Sequence, residues 1–414
     1  MRPHAALANA HTHARSVLAA AGIGSLGLLC TAAAAPPAGA APSVTHAAYH
    51  ASFNVRQILS GASLHHTFTV AGSGPKTDSL SNPDDITRLG HDLFVGFQNG
   101  VGPQGETSTD GNLDSTVVEF TLTGHPVAQW DVVGKTDGVT ADPKTRTVLA
   151  TVNEDANSAL YVIDPGTGSS AGSATRYAYN EPLPHAGGSD AISILDGTIL
   201  ISASAPGTSG APAPQATYPA VYSVSLNPGT KVATVTPLFS DEATAIVVNQ
   251  PSPRFGQSTK LALTDPDSNE VVPPSAARFP GYFMLTSQGD LQQIYVEVAG
   301  GLTPKLSVLT LSQSVDDTAW PTDPAGRLYS TDSTHDTVDV VTGPFTVGQP
   351  VVAATPCGAN DAPGTCPGPG FPANFLGTLN PWSGQVSPVN LSGAPYSPEG
   401  GLVFVAGTGD NGGQ

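Results

Sequence analysis

Cysteine, methionine and positive charge are all scarce in this chain of 414 residues, which has 3 Cys, 2 Met and 15 Lys and Arg. So few cysteines exclude a disulfide-built scaffold and leave no spacing suited to a structural zinc site. Against 33 Asp and Glu the basic residues leave a net charge of −18, which argues against nucleic acid and anionic membranes as partners. Long apolar runs are missing as well. The longest, Val17 to Leu29, falls short of the ~20 residues of a spanning helix, so the chain does not read as an integral membrane protein. No phosphate loop, dinucleotide fingerprint or zinc motif is present. What is abundant is Gly (46) and Pro (38), which predicts many turns and few helices.

The first 40 residues read as a secretory signal peptide. Arg2 and Arg15 supply its positive region, Val17 to Leu29 its apolar region, and Ala38-Gly39-Ala40 its cleavage site. Cys30 follows Gly-Leu-Leu and lacks the small residue that a lipid anchor requires. The expectation is a secreted, extracellular and monomeric protein, with a flexible lead-in over 41–52 and a disordered tail over 409–414. In that compartment Cys357 and Cys366, which flank a Pro/Gly-rich loop, are expected to form a local disulfide.

Between these ends, residues 53–408 repeat. The acidic turns Asp84-Asp85-Ile86-Thr87, Asp137-Gly138-Val139-Thr140 and Asp190-Ala191-Ile192-Ser193 start 53 residues apart, and each leads into two further strand-like runs. A period near 50 is the length of one four-stranded propeller blade. Val315 to Phe345 reads as three consecutive strands of a single blade. Asp265 to Glu270 reads as another entrance, with 241–264 as an inserted hairpin. The predicted fold is therefore all-β, a single β-propeller of six blades, or seven if Glu242 also marks an entrance. Phe53 to Leu59 and His65 to Val70 are expected to close it as outer strands of the C-terminal blade, leaving no open edge.

Residues just ahead of the innermost strands face one another around the mouth of the channel. That places Asp84, Asp137, Asp190, Asp265 or Asp267, Asp316 and Glu399 around one opening, with Asp85 and Asp317 doubling two of them. Converging carboxylates, with neutral oxygens from Asn99, Asn153 and Asn269, suit a hard cation such as Ca²⁺, which takes six to eight oxygen ligands. Each Asp also has a plainer reading, as the acceptor that fixes a turn before a strand. His185, five residues ahead of Asp190, is the one histidine the repeat puts near the mouth. It reads either as a general base or as an exposed loop residue.

Two resemblances follow from these residues. Leu328-Tyr329-Ser330-Thr331-Asp332 with Thr337-Val338-Asp339-Val340-Val341 resembles YVTN-type propeller repeats, as does Leu149 to Asn153 with Leu160 to Asp164. That repeat implies a propeller and no particular activity. The acidic ring, with Pro398-Glu399-Gly400, is similar to the calcium-dependent six-bladed propellers of the gluconolactonase and paraoxonase type, which implies a channel metal on acidic and Asn ligands. The expected function is an extracellular module that binds a small molecule or a cell-envelope component, with a cation at its mouth. The alternative is a metal-dependent hydrolase of lactones or small esters.

Overall fold

A computed structural model describes residues 52–70, 72–167, 172–183, 188–204, 217–298, 304–356 and 374–407. The expected leader (1–40), the lead-in up to residue 51, the tail (409–414), His185, and Cys357 with Cys366 lie outside the described residues. The described chain is all-β apart from one 3-10 turn at Gly61–Ser63. Among the described residues no helix is long and apolar enough to cross a membrane.

The simplest unit is the meander Pro83–Leu89, Asp92–Phe97, Asp114–Thr121 and Pro126–Val133, four antiparallel strands in sequence order. Burial is graded across it. Asp92–Phe97 is buried on both faces from Leu93 to Phe97, whereas Pro126–Val133 is largely exposed. A strand flanked by other sheets on both faces needs apolar residues at successive positions, and an outermost strand does not. Thr147–Val152, Phe283–Ser287 and Arg327–Asp332 show the same doubly buried pattern in their own sheets.

The core is laminated between neighbouring sheets. Phe94, Val117 and Val132 of the first meander pack on Val148, Val152 and Ile163 of the next. Leu200 and Val221 likewise pack on Phe283, Leu285 and Val296. The innermost strands close a ring. Pro83–Leu89 packs on Thr136–Asp142, which packs on Ile192–Leu195, followed by Pro266–Val271, Val315–Ala319 and Leu402–Val405. Leu402–Val405 then returns to Pro83–Leu89. Radial sheets around a closed ring of inner strands make a β-propeller.

One sheet joins the two ends of the described chain: Leu402–Val405 pairs with Arg327–Asp332, which pairs with Thr337–Thr342, which pairs with the N-terminal strand Phe53–Ser60. The second N-terminal strand behaves differently from expectation. His65–Val70 does not join this sheet and forms a separate hairpin with Gly74–Ser79.

Val315 to Phe345 is likewise not one blade. Val315–Ala319 pairs with Val351–Ala354 in one sheet, while Arg327–Asp332 and Thr337–Thr342 belong to the next. The crossing lies in Pro321 to Gly326. A Cβ on Gly326 would meet the Phe404 ring at 2.2 Å, so a glycine lets the chain pass close beside the C-terminal strand. Residues 241–264 carry the hairpin Thr244–Val247 and Ser258–Lys260, which adds to the outer strand Lys305–Thr310 through a parallel pairing.

Candidate functional site

At the mouth-side start of the inner strands the ladder slips. Pairing shifts register between Pro83 and Ile86, Thr136 and Val139, Pro266 and Asn269, and Val315 and Thr318. A bulge of this kind leaves two residues unpaired and re-aims their side chains, here into the channel. The lining is a set of dipeptides, Asp84-Asp85, Asp137-Gly138, Asp190-Ala191, Asp267-Ser268, Asp316-Asp317 and Gly400-Gly401, joined by Asn269 and Glu270. Their first positions form a ring of five aspartates interrupted at Gly400.

Second positions tie each unit to the next. Asp85 accepts hydrogen bonds from the N–H of Ile86 at 2.7 Å and of Val139, one strand onward, at 2.6 Å. Asp317 does the same with Thr318 at 2.6 Å and Leu402 at 2.5 Å. Where the second position is glycine, the strands touch directly. A Cβ on Gly138 would lie 2.6 Å from the Ala191 Cα, and one on Gly401 would lie 2.3 Å from the Asp85 Oδ1. Hydroxyls from the second strands hold the ring's backbone. Thr151 donates to the Asp190 carbonyl, Thr331 to that of Asp84, and Ser202 to that of Asp267 at 2.7 Å.

The electrostatics follow from crowding. Asp84, Asp85 and Asp267 touch channel solvent, but the walls enclose them on the other sides. Burial, then the Asp137 charge, holds Asp84 and Asp190 well above the usual carboxylate range. Burial, then Asp316, does the same for Asp267. Asp137 is pushed up to about 8 by burial against the pull of Lys135, and Asp316 to about 6. Glu270 lines the same space, and burial and then Asp85 raise it to about 8. Like charges this close cannot all ionise without a counter-charge.

One counter-charge is built in. Lys135 Nζ lies 3.2 Å from Asp137 Oδ1 and contacts Glu154 Oε1. Nearby carboxylates hold its ammonium well above the usual range despite burial. Asp137, Glu154 and Asp190 bring carboxylate oxygens within 4.8 Å of one another, a separation that a metal ion can bridge. Two lining oxygens lack partners: Asp137 Oδ2 and Asn269 Oδ1 are buried and accept no hydrogen bond. The space they border measures about 40 Å³, enough for one ion or water and too small for an organic ligand. An all-oxygen donor set with unpaired acceptors in an ion-sized space fits a hard cation.

The expected residues divide. Asp84, Asp137, Asp190, Asp267 and Asp316 converge on the channel. Asp265 turns away and accepts the Gly289 N–H at 2.9 Å. Glu399 sits one position ahead of the ring and accepts hydrogen bonds from Ser333 at 2.8 Å and Asn374 at 3.2 Å. Asn99 and Asn153 are structural. Both adopt positive φ, and their Oδ1 atoms accept the N–H of Ser81 at 3.1 Å and Lys135 at 2.9 Å.

Lys135 and Glu154 escaped the sequence reading because they flank the repeat rather than belong to it. The pairing of Lys135 two residues before a ring Asp with Glu154 just after a second strand was the available signal. A His–Asp contact also appears, His335 Nδ1 to buried Asp332 at 2.8 Å, but neither residue lines the channel.

No protein-family model matches the chain, and no curated protein matches it. Solved structures do. A protein described as a candidate gluconolactonase shares 9% identity, with 83% of this chain and 82% of that chain covered at a TM-score of 0.41. The periplasmic gluconolactonase PpgL of Pseudomonas aeruginosa shares 14%, with 86% and 99% covered at 0.38. The β-propeller domain of Cps50 from Myceliophteria thermophila shares 12%, with 70% and 85% covered at 0.37. Likenesses at these TM-scores decide neither the activity nor the blade count. The YVTN repeat type finds no support among them.

Proposed function

We propose that this chain is an exported, six-bladed propeller that holds Ca²⁺ or a similar hard cation in its channel and hydrolyses lactones or other small esters at the channel mouth. The carrying observation is the ion-sized space bordered by ring carboxylates and by the unpartnered oxygens of Asp137 and Asn269. The count of six is motivated by the ring of inner strands, each with one lining dipeptide at or just before its start.

Asp137 and Asp190, which with Glu154 bring carboxylate oxygens within 4.8 Å of one another, would hold the cation together with the Asn269 amide oxygen, and Asp84, Asp267 and Asp316 would surround it with further negative charge. When bound, it would polarise a carbonyl and stabilise the negative charge that develops on its oxygen. The chain's own residues do the rest. Asp85 and Asp317 keep the ring in register through backbone clasps. Lys135 restrains Asp137 and Glu154. Glu154 retains solvent contact beside the ring, the position from which a carboxylate accepts a proton from an attacking water. The small interior keeps the substrate outside, at the mouth. Lactones are the first class to assay, because ring opening presents one carbonyl and requires no bulky leaving group.

A second reading, the extracellular binding module with its cation as a structural plug, is favoured by those same clasps, which make the acids part of ring closure. Turnover separates the two. Wild-type protein treated with chelator should lose hydrolysis of glucono-δ-lactone and regain it with Ca²⁺, and Asp190→Asn should stay inactive. A folded, Ca²⁺-binding wild type with no turnover across a panel of lactones and aryl esters would overturn the hydrolase reading and leave the plug.

A further inference from the structure

Away from the channel, a cleft of about 410 Å³ opens between the inserted hairpin Thr244–Val247 and Ser258–Lys260, the strand Lys305–Thr310 and the turn around Ser383. That volume falls in the range of small-molecule sites. We propose that this cleft binds a small hydroxy-carboxylate such as a sugar acid, independently of the channel's chemistry.

The charge pattern is the first reason. In a chain of net charge −18, the cleft is lined by Arg254 and Lys260 and by no carboxylate. Lys260 is partly neutralised by Glu242 at 3.2 Å. Arg254 pairs with no carboxylate among the described residues, and the one contact of its guanidinium is Nη2 donating to Thr259 Oγ1 at 2.8 Å. Its remaining N–H groups form a planar fork suited to a carboxylate.

Hydroxyl recognition is the second reason. Gln292 lines the same cleft, and its Oε1 accepts no hydrogen bond and is covered while the cleft is empty, so a turn of the side chain would present it to a ligand. An unpaired acceptor of this kind is costly unless a ligand hydroxyl or amide donates to it. Ser312 Oγ accepts the Val386 N–H at 2.9 Å, which leaves the hydroxyl hydrogen to donate to a second ligand oxygen. Arg254 therefore selects an acid, and Gln292 with Ser312 selects its hydroxyls.

Calorimetric titration of the purified protein with D-gluconate, without added cation, tests this. Saturable binding is expected, at least tenfold weaker in Arg254→Gln and at least tenfold weaker for D-glucose, which lacks the carboxylate. Gln292→Leu should weaken gluconate while leaving the melting temperature within about 1 °C of wild type, since the side chain gives up no hydrogen bond to the fold. Asp190→Asn should retain the wild-type affinity. Absence of saturable binding, equal affinity in Arg254→Gln, or inorganic phosphate binding as tightly as gluconate would overturn the proposal. Loss of binding in Asp190→Asn with retention in Arg254→Gln would place the ligand in the channel and overturn it too.

Discussion

Thr151→Val removes one oxygen from the wall behind the ring. The Thr151 side chain is fully buried, accepts the Gly138 N–H at 2.9 Å and donates to the Asp190 carbonyl. Valine fills the same volume, so no cavity term arises, but a buried N–H loses its acceptor and a carbonyl its donor. An unpaired buried donor costs about 1–3 kcal/mol and a lost hydrogen bond about 1 kcal/mol, so about 3 kcal/mol is expected. Unfolding entropy of about 2.1 cal/mol/K per residue over roughly 350 residues gives about 0.7 kcal/mol per degree, hence a fall in Tm of about 4 °C. Thr77→Val is the control, because its hydroxyl meets only Thr67 on an exposed hairpin and should change stability by less than about 0.5 kcal/mol. Scanning calorimetry of both variants at one pH and calcium concentration reads the difference. A Thr151→Val protein that melts within 1 °C of wild type would refute the role given to second-strand hydroxyls.

Three further outcomes are expected. The ring carboxyls sit above their unfolded values, so the folded, cation-free protein binds more protons than the unfolded chain. Stability in chelator should therefore be greatest near pH 4 and fall as pH rises toward about 8, the value for Asp137, with Asp316 contributing up to about 6. Melting curves across that range would contradict this if stability rose with pH, and saturating Ca²⁺ should flatten the decline. Lys135→Met strips the built-in counter-charge from Asp137 and Glu154 and should cost about 1–3 kcal/mol in urea titrations at neutral pH, since Asp137, pushed up to about 8, can take a proton and Glu154 keeps contact with solvent. A neutral effect would show that solvent already screens the pair.

The repeat was legible because local chemistry writes it. An Asp recurs at the start of five of the six inner strands, and the second strands Asp92–Phe97 and Thr147–Val152, buried on both faces, show runs of successive apolar residues. Sheet membership was not legible. The run Arg327–Asp332 reads the same whether its inner partner is Val315–Ala319, which precedes it, or Leu402–Val405, which comes from the far end of the chain. The bulges are equally invisible. At the sixth inner strand, counting back from the strand start picks the nearest acid, Glu399, whereas the lining position is Gly400. Asn99 and Asn153 look like ligands in sequence, but their left-handed backbone and their bonds to Ser81 and Lys135 give their side chains to the fold. Asn269 differs because it lies within a bulged inner strand and its oxygen is left free.

Everything proposed for the channel rests on its carboxylates holding a cation. The most direct measurement is calcium titration calorimetry on chelator-stripped protein, paired with metal analysis of the protein as purified, for wild type and for Asp267→Asn. Wild type should bind one Ca²⁺ per chain with proton release, because the ring acids must ionise to take it. Asp267→Asn, with one ring charge removed and its carbonyl still held by Ser202, should stay folded and bind at least tenfold more weakly. A wild type with no saturable calcium site and no co-purified metal, or a variant that binds as tightly as wild type, would contradict the account.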